Sequence, residues 1–333
     1  MNDARHHQRL AVVIPCYRVK KHILEVLTAI GPEVDLIYIV DDGCPENSGD
    51  FVMREYQDAR IHVIHNLQNC GVGGAVMAGY AAAITDGATI IVKLDGDGQM
   101  DPALIPQLIA PILMGHADYT KGNRFFNLEK LHTMPKIRLF GNALLSFINK
   151  LSSGYWDIFD PTNGYTAIHA EVAKLLPFAK ISQRYFFESD MLFRLNTIRA
   201  VVIDVPMDAQ YGNEMSHLKI RDILGEFLRK HTQNFFKRIF YNYYLRNMSL
   251  ASLELPLGMF LFLFGNVFGI CAWIHSTQLK TATPTGTIMI ATLSILMGLQ
   301  FIMAFLNYDI NAVWKQPLHF RLYKIKNPNK KHE

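Results

Sequence analysis

The side chains best suited to chemistry sit in one short run, Asp95-Gly96-Asp97-Gly98-Gln99, directly after the apolar stretch Ile90 to Leu94. Two carboxylates two residues apart on a turn, with glycines that let the backbone bend close, make a hard-oxygen site suited to Mg²⁺ or Mn²⁺ shared with a diphosphate. Such an ion offsets the charge that gathers on a departing diphosphate group. Two further runs end apolar stretches in the same way: Ile14-Pro15-Cys16-Tyr17-Arg18 and Val40-Asp41-Asp42-Gly43. An acidic pair can accept hydrogen bonds from a nucleobase, and a neighbouring tyrosine offers a face for stacking. At adjacent strand tips they describe a nucleotide pocket. Asn69-Cys70-Gly71-Val72-Gly73-Gly74 then opens a helical pattern. Free N–H groups there suit phosphate, and the same glycines equally suit a tight strand-to-helix turn. The run differs from the dinucleotide fingerprint, because the first strand ends in Pro-Cys-Tyr.

The elements that carry these residues follow from hydrophobic patterning. Leu10 to Ile14, Leu36 to Val40, Ile61 to Ile64 and Ile90 to Leu94 are β-rich runs bounded by turn residues. Lys21 to Ile30, Gly49 to Gln57 and Gly74 to Asp86 between them have helical length and spacing. Near-continuous apolar strands separated by helices predict an α/β domain with a mainly parallel, buried sheet. Its ligands belong at the carboxyl ends of the strands. Val201 to Val205 reads as a late strand.

Half of the 333 residues are hydrophobic and 19% are charged, and the apolar excess concentrates near the C-terminus. Leu255 to Ile274 holds 20 residues and Gly286 to Tyr308 holds 23, all uncharged, so each is long enough to cross a hydrocarbon layer of about 30 Å. Asn266 and Gln300 interrupt them and are expected to face protein rather than lipid. The predicted organisation is a domain over 1–217, amphipathic juxtamembrane helices over 218–250, a transmembrane hairpin over 251–310 with spans near 255–275 and 286–308, and a basic tail over 311–333. Aromatic and basic residues mix in Leu218 to Met248, which suits a membrane interface. Basic residues flank both outer ends while Lys280 alone charges the joining loop, so both termini and the domain are expected on the cytoplasmic side of an inner membrane. The basic clusters point to anionic lipid as a partner, and no nucleic-acid partner is expected. Buried polar residues in the spans permit a homo-oligomer. Cys16, Cys44, Cys70 and Cys271 show no metal or disulfide spacing and read as reduced thiols.

Taken in order, Val13-Ile14-Pro15-Cys16-Tyr17, Val40-Asp41-Asp42-Gly43, the Asn-x-Gly-rich turn and Asp95-Gly96-Asp97-Gly98-Gln99 resemble family 2 of the glycosyltransferases, over nearly all of residues 10–308. Within it the chain is similar to the dolichol phosphate mannose synthase and polyprenyl phosphate glycosyltransferase branch. The resemblance implies a GT-A fold, a UDP- or GDP-sugar donor, a polyprenyl phosphate acceptor, and inverting, metal-dependent transfer of one sugar. It implies donor contacts from Pro15, Tyr17, Asp41, Asp42, Asn69 and Gly71, a metal and diphosphate site from Asp95, Asp97 and Gln99, and a phosphate-region role for Arg124. Asp160-Pro161-Thr162-Asn163-Gly164-Tyr165 resembles the acceptor-side loop, and Phe187-Glu188-Ser189-Asp190 the acidic helix start, where Glu188 and Asp190 equally suit the helix dipole. A lipid phosphate, with a second pKa of about 6, attacks without a strong base. Arg138, with Lys136 in reserve, is therefore expected to grip it, and Asp160 to orient it or take a residual proton. Two positions depart from the family. The Asn-x-Gly-Lys-Gly turn lacks its lysine, and Arg-Tyr-Gly is replaced by Gln210-Tyr211-Gly212, so one phosphate contact is either missing or supplied by Lys219 or Arg221. Transfer to a sugar or lipid hydroxyl, and a non-catalytic nucleotide-sugar-binding membrane scaffold, stand as alternatives.

Overall fold

The computed structural model describes residues 8–126, 136–207 and 220–326, without the side chains at 136–138, 220–223 and 326. In chain order the elements are β1 (Leu10–Cys16), α1 (Ile23–Ala29), β2 (Leu36–Asp41), α2 (Ser48–Glu55), β3 (Ile61–His65), α3 (Val72–Thr85), β4 (Ile90–Lys93), α4 (Ile105–Leu113) and β5 (Tyr119–Asn123). They continue with α5 (Lys136–Ser153), β6 (Thr166–His169), α6 (Ala170–Ala173), α7 (Phe187–Thr197), β7 (Val202–Pro206), α8 (Ile220–Ile239), α9 (Leu250–Gln278), α10 (Thr285–Asn311) and α11 (Leu318–Lys326).

One sheet runs in the order β3-β2-β1-β4-β6-β5-β7. β1 pairs in parallel with β2 (Val12 opposite Ile37) and with β4 (Val12 opposite Val92), whereas β6 lies antiparallel to both β4 and β5. Alternation along β1 explains its central place. Ala11 and Val13 enter a core with α3 and α7, while Val12 and Ile14 enter the opposite core with α1 and α4, and all four are fully buried. A strand covered on both faces reads as a continuous apolar run. The chain winds outward through β2 and β3 and returns to β4 on the other side of β1. That reversal opens a crevice at the carboxyl ends of β1 and β4.

The chain divides into two compact units, 1–235 with 314–333, and 236–313. In the second, α9 and α10 are long and apolar enough to cross a membrane. They approach closely at Gly298, where a Cβ would lie 2.4 Å from the Phe262 nitrogen; small residues allow such contacts between apolar helices. Asn266 donates to the Phe262 carbonyl of its own helix (2.8 Å), and Gln300 is exposed, so the hairpin does not cover Gln300 as the sequence led us to expect. Arg238 forms a fork with the buried Asp309 (2.6 and 3.0 Å), which also accepts from the Tyr243 hydroxyl (2.6 Å). Between α8 and α9 the backbone forms a π-helical turn, Phe240–Leu245, in place of a second interface helix.

The stretch expected to be a basic tail contributes to the first unit. Asp118, fully buried just ahead of β5, accepts from the backbone N–H groups of Leu318 (2.7 Å), His319 (2.9 Å) and Val201 (2.8 Å) and lies 2.7 Å from the His319 ring Nδ1. It thus caps α11 from 200 residues away. The His319 ring stacks on His169 at 4.4 Å, and Arg199 lies 4.4 Å over the Trp314 ring.

Burial works to raise the Asp118 pKa, but the hydrogen bonds from His319, Leu318 and Val201 outweigh it and hold it below the ordinary carboxylate value. Burial, with His319 beside it, pulls the His169 imidazole down from 6.5 to about 4. Both groups bind protons more weakly folded than unfolded, so their contribution is complete above the unfolded pKa and is lost as pH falls through the folded one. For His169 that window runs from 6.5 down to about 4. His169 should therefore account for a loss of about 1–2 kcal/mol between pH 7 and pH 5. His169→Asn, which keeps an acceptor for the Glu171 N–H, should flatten that slope in thermal melts. Asp118→Ala, which strands several donors, should cost about 3 kcal/mol at pH 7.

Candidate active site

The crevice at the switch point holds a cavity of about 570 Å³, lined by Pro15, Tyr17, Arg18 and His22 from the β1 side, Asp42 after β2, Asn69, Gly71 and Val72 at the start of α3, Asp95 and Asp97 after β4, and Arg184 and Tyr185 before α7. The sequence-predicted residues Pro15, Tyr17, Asp42, Asn69, Gly71, Asp95 and Asp97 thus come together.

Asp41 does not join them. Neighbouring residues of a strand point to opposite sides, and the buried Asp41 carboxylate accepts from the N–H groups of Cys44 (2.8 Å) and Gly49 (2.7 Å), tying down the first turn of α2. Asp42 organises the glycine-rich turn, accepting from Asn66 Nδ2 (2.8 Å) and from the N–H groups of Cys70 (2.9 Å) and Gly71 (2.7 Å). The next donors, Gly73 and Gly74 N–H, point at the Gln183 carbonyl (2.7 and 3.4 Å). Of the two uses open to this turn, Gly73 and Gly74 take tight packing. Gly71 has φ +82°, and a Cβ at Gly73 would lie 2.4 Å from the Ser182 carbonyl oxygen, so both positions need glycine.

Beneath the acidic turn lies a buried charge cluster. The Lys93 ammonium contacts Asp95 Oδ1 at 2.7 Å and Glu188 at 3.8 Å with only 2% of its side chain exposed. Burial pulls its pKa down, and Asp95 and Glu188 together carry it above the ordinary lysine value. Lys121, which donates to the Asn163 carbonyl, is lowered by burial to about 8 despite nearby Glu188 and Asp160. Burial raises Asp204 to about 6; it accepts from Phe159 N–H (2.9 Å) and Asn123 Nδ2 (3.0 Å), and its Oδ1 has no partner among the described residues.

The remaining expected residues separate. Asp160, fully buried, is gripped by Arg124 through Nε (2.7 Å) and Nη2 (3.0 Å), so Arg124 is engaged by that carboxylate and does not line the cavity. Asp190 is a scaffold residue: it accepts from Ser182 N–H (2.9 Å) and Asn234 Nδ2 (3.2 Å) and pairs with Arg194 at 3.6 Å. Gln99 gives its backbone N–H to Asp97 (3.0 Å) and does not line the cavity. The side chains of Lys136, Arg138 and Arg221, and the segment carrying Gln210 and Lys219, lie outside the described residues. Arg18, His22, Lys93, Lys121, Arg184, Tyr185 and Asp204 were not singled out for a role in the site from sequence. Lys93 alone gave a signal, as a lysine inside an otherwise apolar strand.

Asp95 and Asp97 fit a divalent cation by donor chemistry, being two hard carboxylates on one turn open to a cavity. Among the described residues no cluster of three or more His, Cys, Asp or Glu could cage a metal alone. The pair suits an ion that takes its other ligands from phosphate and water.

A mainly parallel sheet with a switch-point cavity over an acidic turn is the architecture of GT-A glycosyltransferases. The family model described as Glycosyl transferase family 2 matches residues 11–176. A UDP-N-acetylglucosamine–dolichyl-phosphate N-acetylglucosaminyltransferase of Methanococcus voltae is 31% identical over 215 residues, 60% of this chain and 85% of the relative. An undecaprenyl-phosphate mannosyltransferase of Micrococcus luteus is 29% identical, covering 60% and 82%. Among solved structures, glucosyl-3-phosphoglycerate synthase of Mycobacterium tuberculosis with Mn²⁺, UDP-glucose and phosphoglyceric acid superposes with a TM-score of 0.52 at 19% identity, covering 69% of this chain and 79% of that one. The chain belongs to glycosyltransferase family 2, and the two relatives just named are transferases to dolichyl and undecaprenyl phosphate.

Asp42→Ala strands the Asn66, Cys70 and Gly71 donors together. It should lower stability by about 1–3 kcal/mol in thermal melts and weaken nucleotide binding at least tenfold in titration calorimetry.

Proposed function

We propose that this chain moves a single sugar, with inversion, from a UDP- or GDP-sugar to a polyprenyl phosphate at the cytoplasmic face of a membrane that α9 and α10 cross. The observation that carries the reading is the convergence of Tyr17, Asp42, Asp95 and Asp97 on one cavity, in a chain whose relatives are named as transferases to dolichyl and undecaprenyl phosphate.

Tyr17 and Asp42 meet the nucleoside end of the donor, and Asp95 and Asp97 its diphosphate. Asp95 and Asp97 are the residues that would hold a Mg²⁺ or Mn²⁺ ion, which would supply positive charge against the leaving nucleotide. Lys93 holds the Asp95 carboxylate in place from below. The acceptor phosphate, already largely dianionic at neutral pH, attacks the anomeric carbon in line with the departing diphosphate and needs no strong base. Arg124 holds the Asp160 carboxylate fixed beside that path, and Arg138 grips the acceptor phosphate. The domain over 1–217 works at the membrane surface, with the basic residues around α8 against anionic lipid and both termini on the cytoplasmic side.

Protein in detergent, given UDP- and GDP-sugars with undecaprenyl or dolichyl phosphate, should yield a lipid product whose mass equals acceptor plus one glycosyl residue. EDTA should abolish turnover and Mn²⁺ restore it, and Asp97→Asn should lower kcat by about 100-fold or more. No product with any donor, or full activity in chelator, sinks the reading.

A further inference from the structure

The cavity is acidic on its floor and short of backbone phosphate donors on its wall. Asp42, Asp95 and Asp97 all line it. Three of the N–H groups at the start of α3, the usual cradle for an anion, are already spent, Gly71 on Asp42 and Gly73 and Gly74 on the Gln183 carbonyl, which leaves the Val72 N–H alone on that wall. Val72, which lines the same wall, brings no charge. One divalent ion does not by itself match the charge of a nucleoside diphosphate bound beside three carboxylates, so a side-chain cation is required.

The loop that seals α3 carries one. Residues 182–187 are pinned at three places: Ser182 N–H to Asp190 (2.9 Å), the Gln183 carbonyl to Gly73 and Gly74, and the Arg184 carbonyl to the Phe187 N–H (2.8 Å). Arg184 therefore stands on a fixed backbone, and its stem crosses Gly71, where an added Cβ would sit 2.9 Å from its Cγ. Its side chain is exposed, lines the cavity, and has no hydrogen-bond or ion-pair partner among the described residues. Arg18, the other arginine on the rim, lies 5.4 Å over the Tyr17 ring.

We propose that Arg184 is a donor-binding residue that grips the diphosphate of the nucleotide sugar, its guanidinium replacing the α3 backbone donors that its own loop occupies. This rests on the donor site proposed above. A planar fork suits two phosphate oxygens at once, and it makes the site discriminate diphosphate from monophosphate.

The test is titration calorimetry on the full chain in detergent with Mn²⁺ present, using UDP and GDP and then UMP and GMP, on wild type, Arg184→Ala and Arg184→Lys, with melting temperatures in parallel. For whichever diphosphate the wild type binds, Arg184→Ala should weaken binding about tenfold or more while the matching monophosphate changes less than about twofold. Arg184→Lys, which keeps the charge, should lose less than alanine. Equal losses for diphosphate and monophosphate would mean a disturbed loop, and no loss an idle surface arginine; either overturns the proposal and leaves the donor site standing. A wild type that binds neither diphosphate removes the donor site, and this inference with it.

Discussion

A buried ammonium sets the terms for the rest of the site. Lys93 sits on a central strand with almost no exposed surface, and a charge in that position persists only with close partners. It finds Asp95 two residues on and Glu188 at the start of α7, 95 residues along the chain. The strand β4, the acidic turn that follows it and the first turn of α7 are thereby bound to one another through charge. Removing Lys93 would leave Asp95 and Glu188 without their shared cation. The metal-competent turn is thus shaped partly from beneath, by a residue that never reaches the cavity.

The same economy runs through the donor wall. Asp42 holds the glycine-rich turn, the turn accepts the loop of residues 182–187, and Asp190 anchors that loop from the other side. Three of the acids at or near the site thus act as clamps on backbone: Asp41 on α2, Asp42 on the glycine-rich turn and Asp190 on the loop before α7. Carboxylates that accept several N–H groups fix loops with little conformational freedom left, which is what a pre-organised site requires.

Strand tips were legible because buried parallel strands write themselves as apolar runs that end abruptly, as Leu10 to Ile14 and Ile90 to Leu94 do. Convergence of Tyr17, Asp42 and Asp95 follows from topology alone. What the sequence concealed was direction and distance. Asp41 and Asp42 look equivalent in a string of letters, yet the pleat sends one to α2 and the other to the cavity. Asp160 and Arg124 each resembled a separate actor, while in space they satisfy each other. Arg184 had no signal, because its value depends on Gln183 blocking a helix end more than 100 residues earlier in the chain.

Asp118 lies buried just ahead of β5, and its main partners, Leu318 and His319, come after both long apolar helices. As the chain emerges from a ribosome, that carboxylate has to wait in an incomplete core until the whole hairpin has been made. Completion of the catalytic unit therefore follows synthesis of both long apolar helices, with α11 serving as its closing stitch.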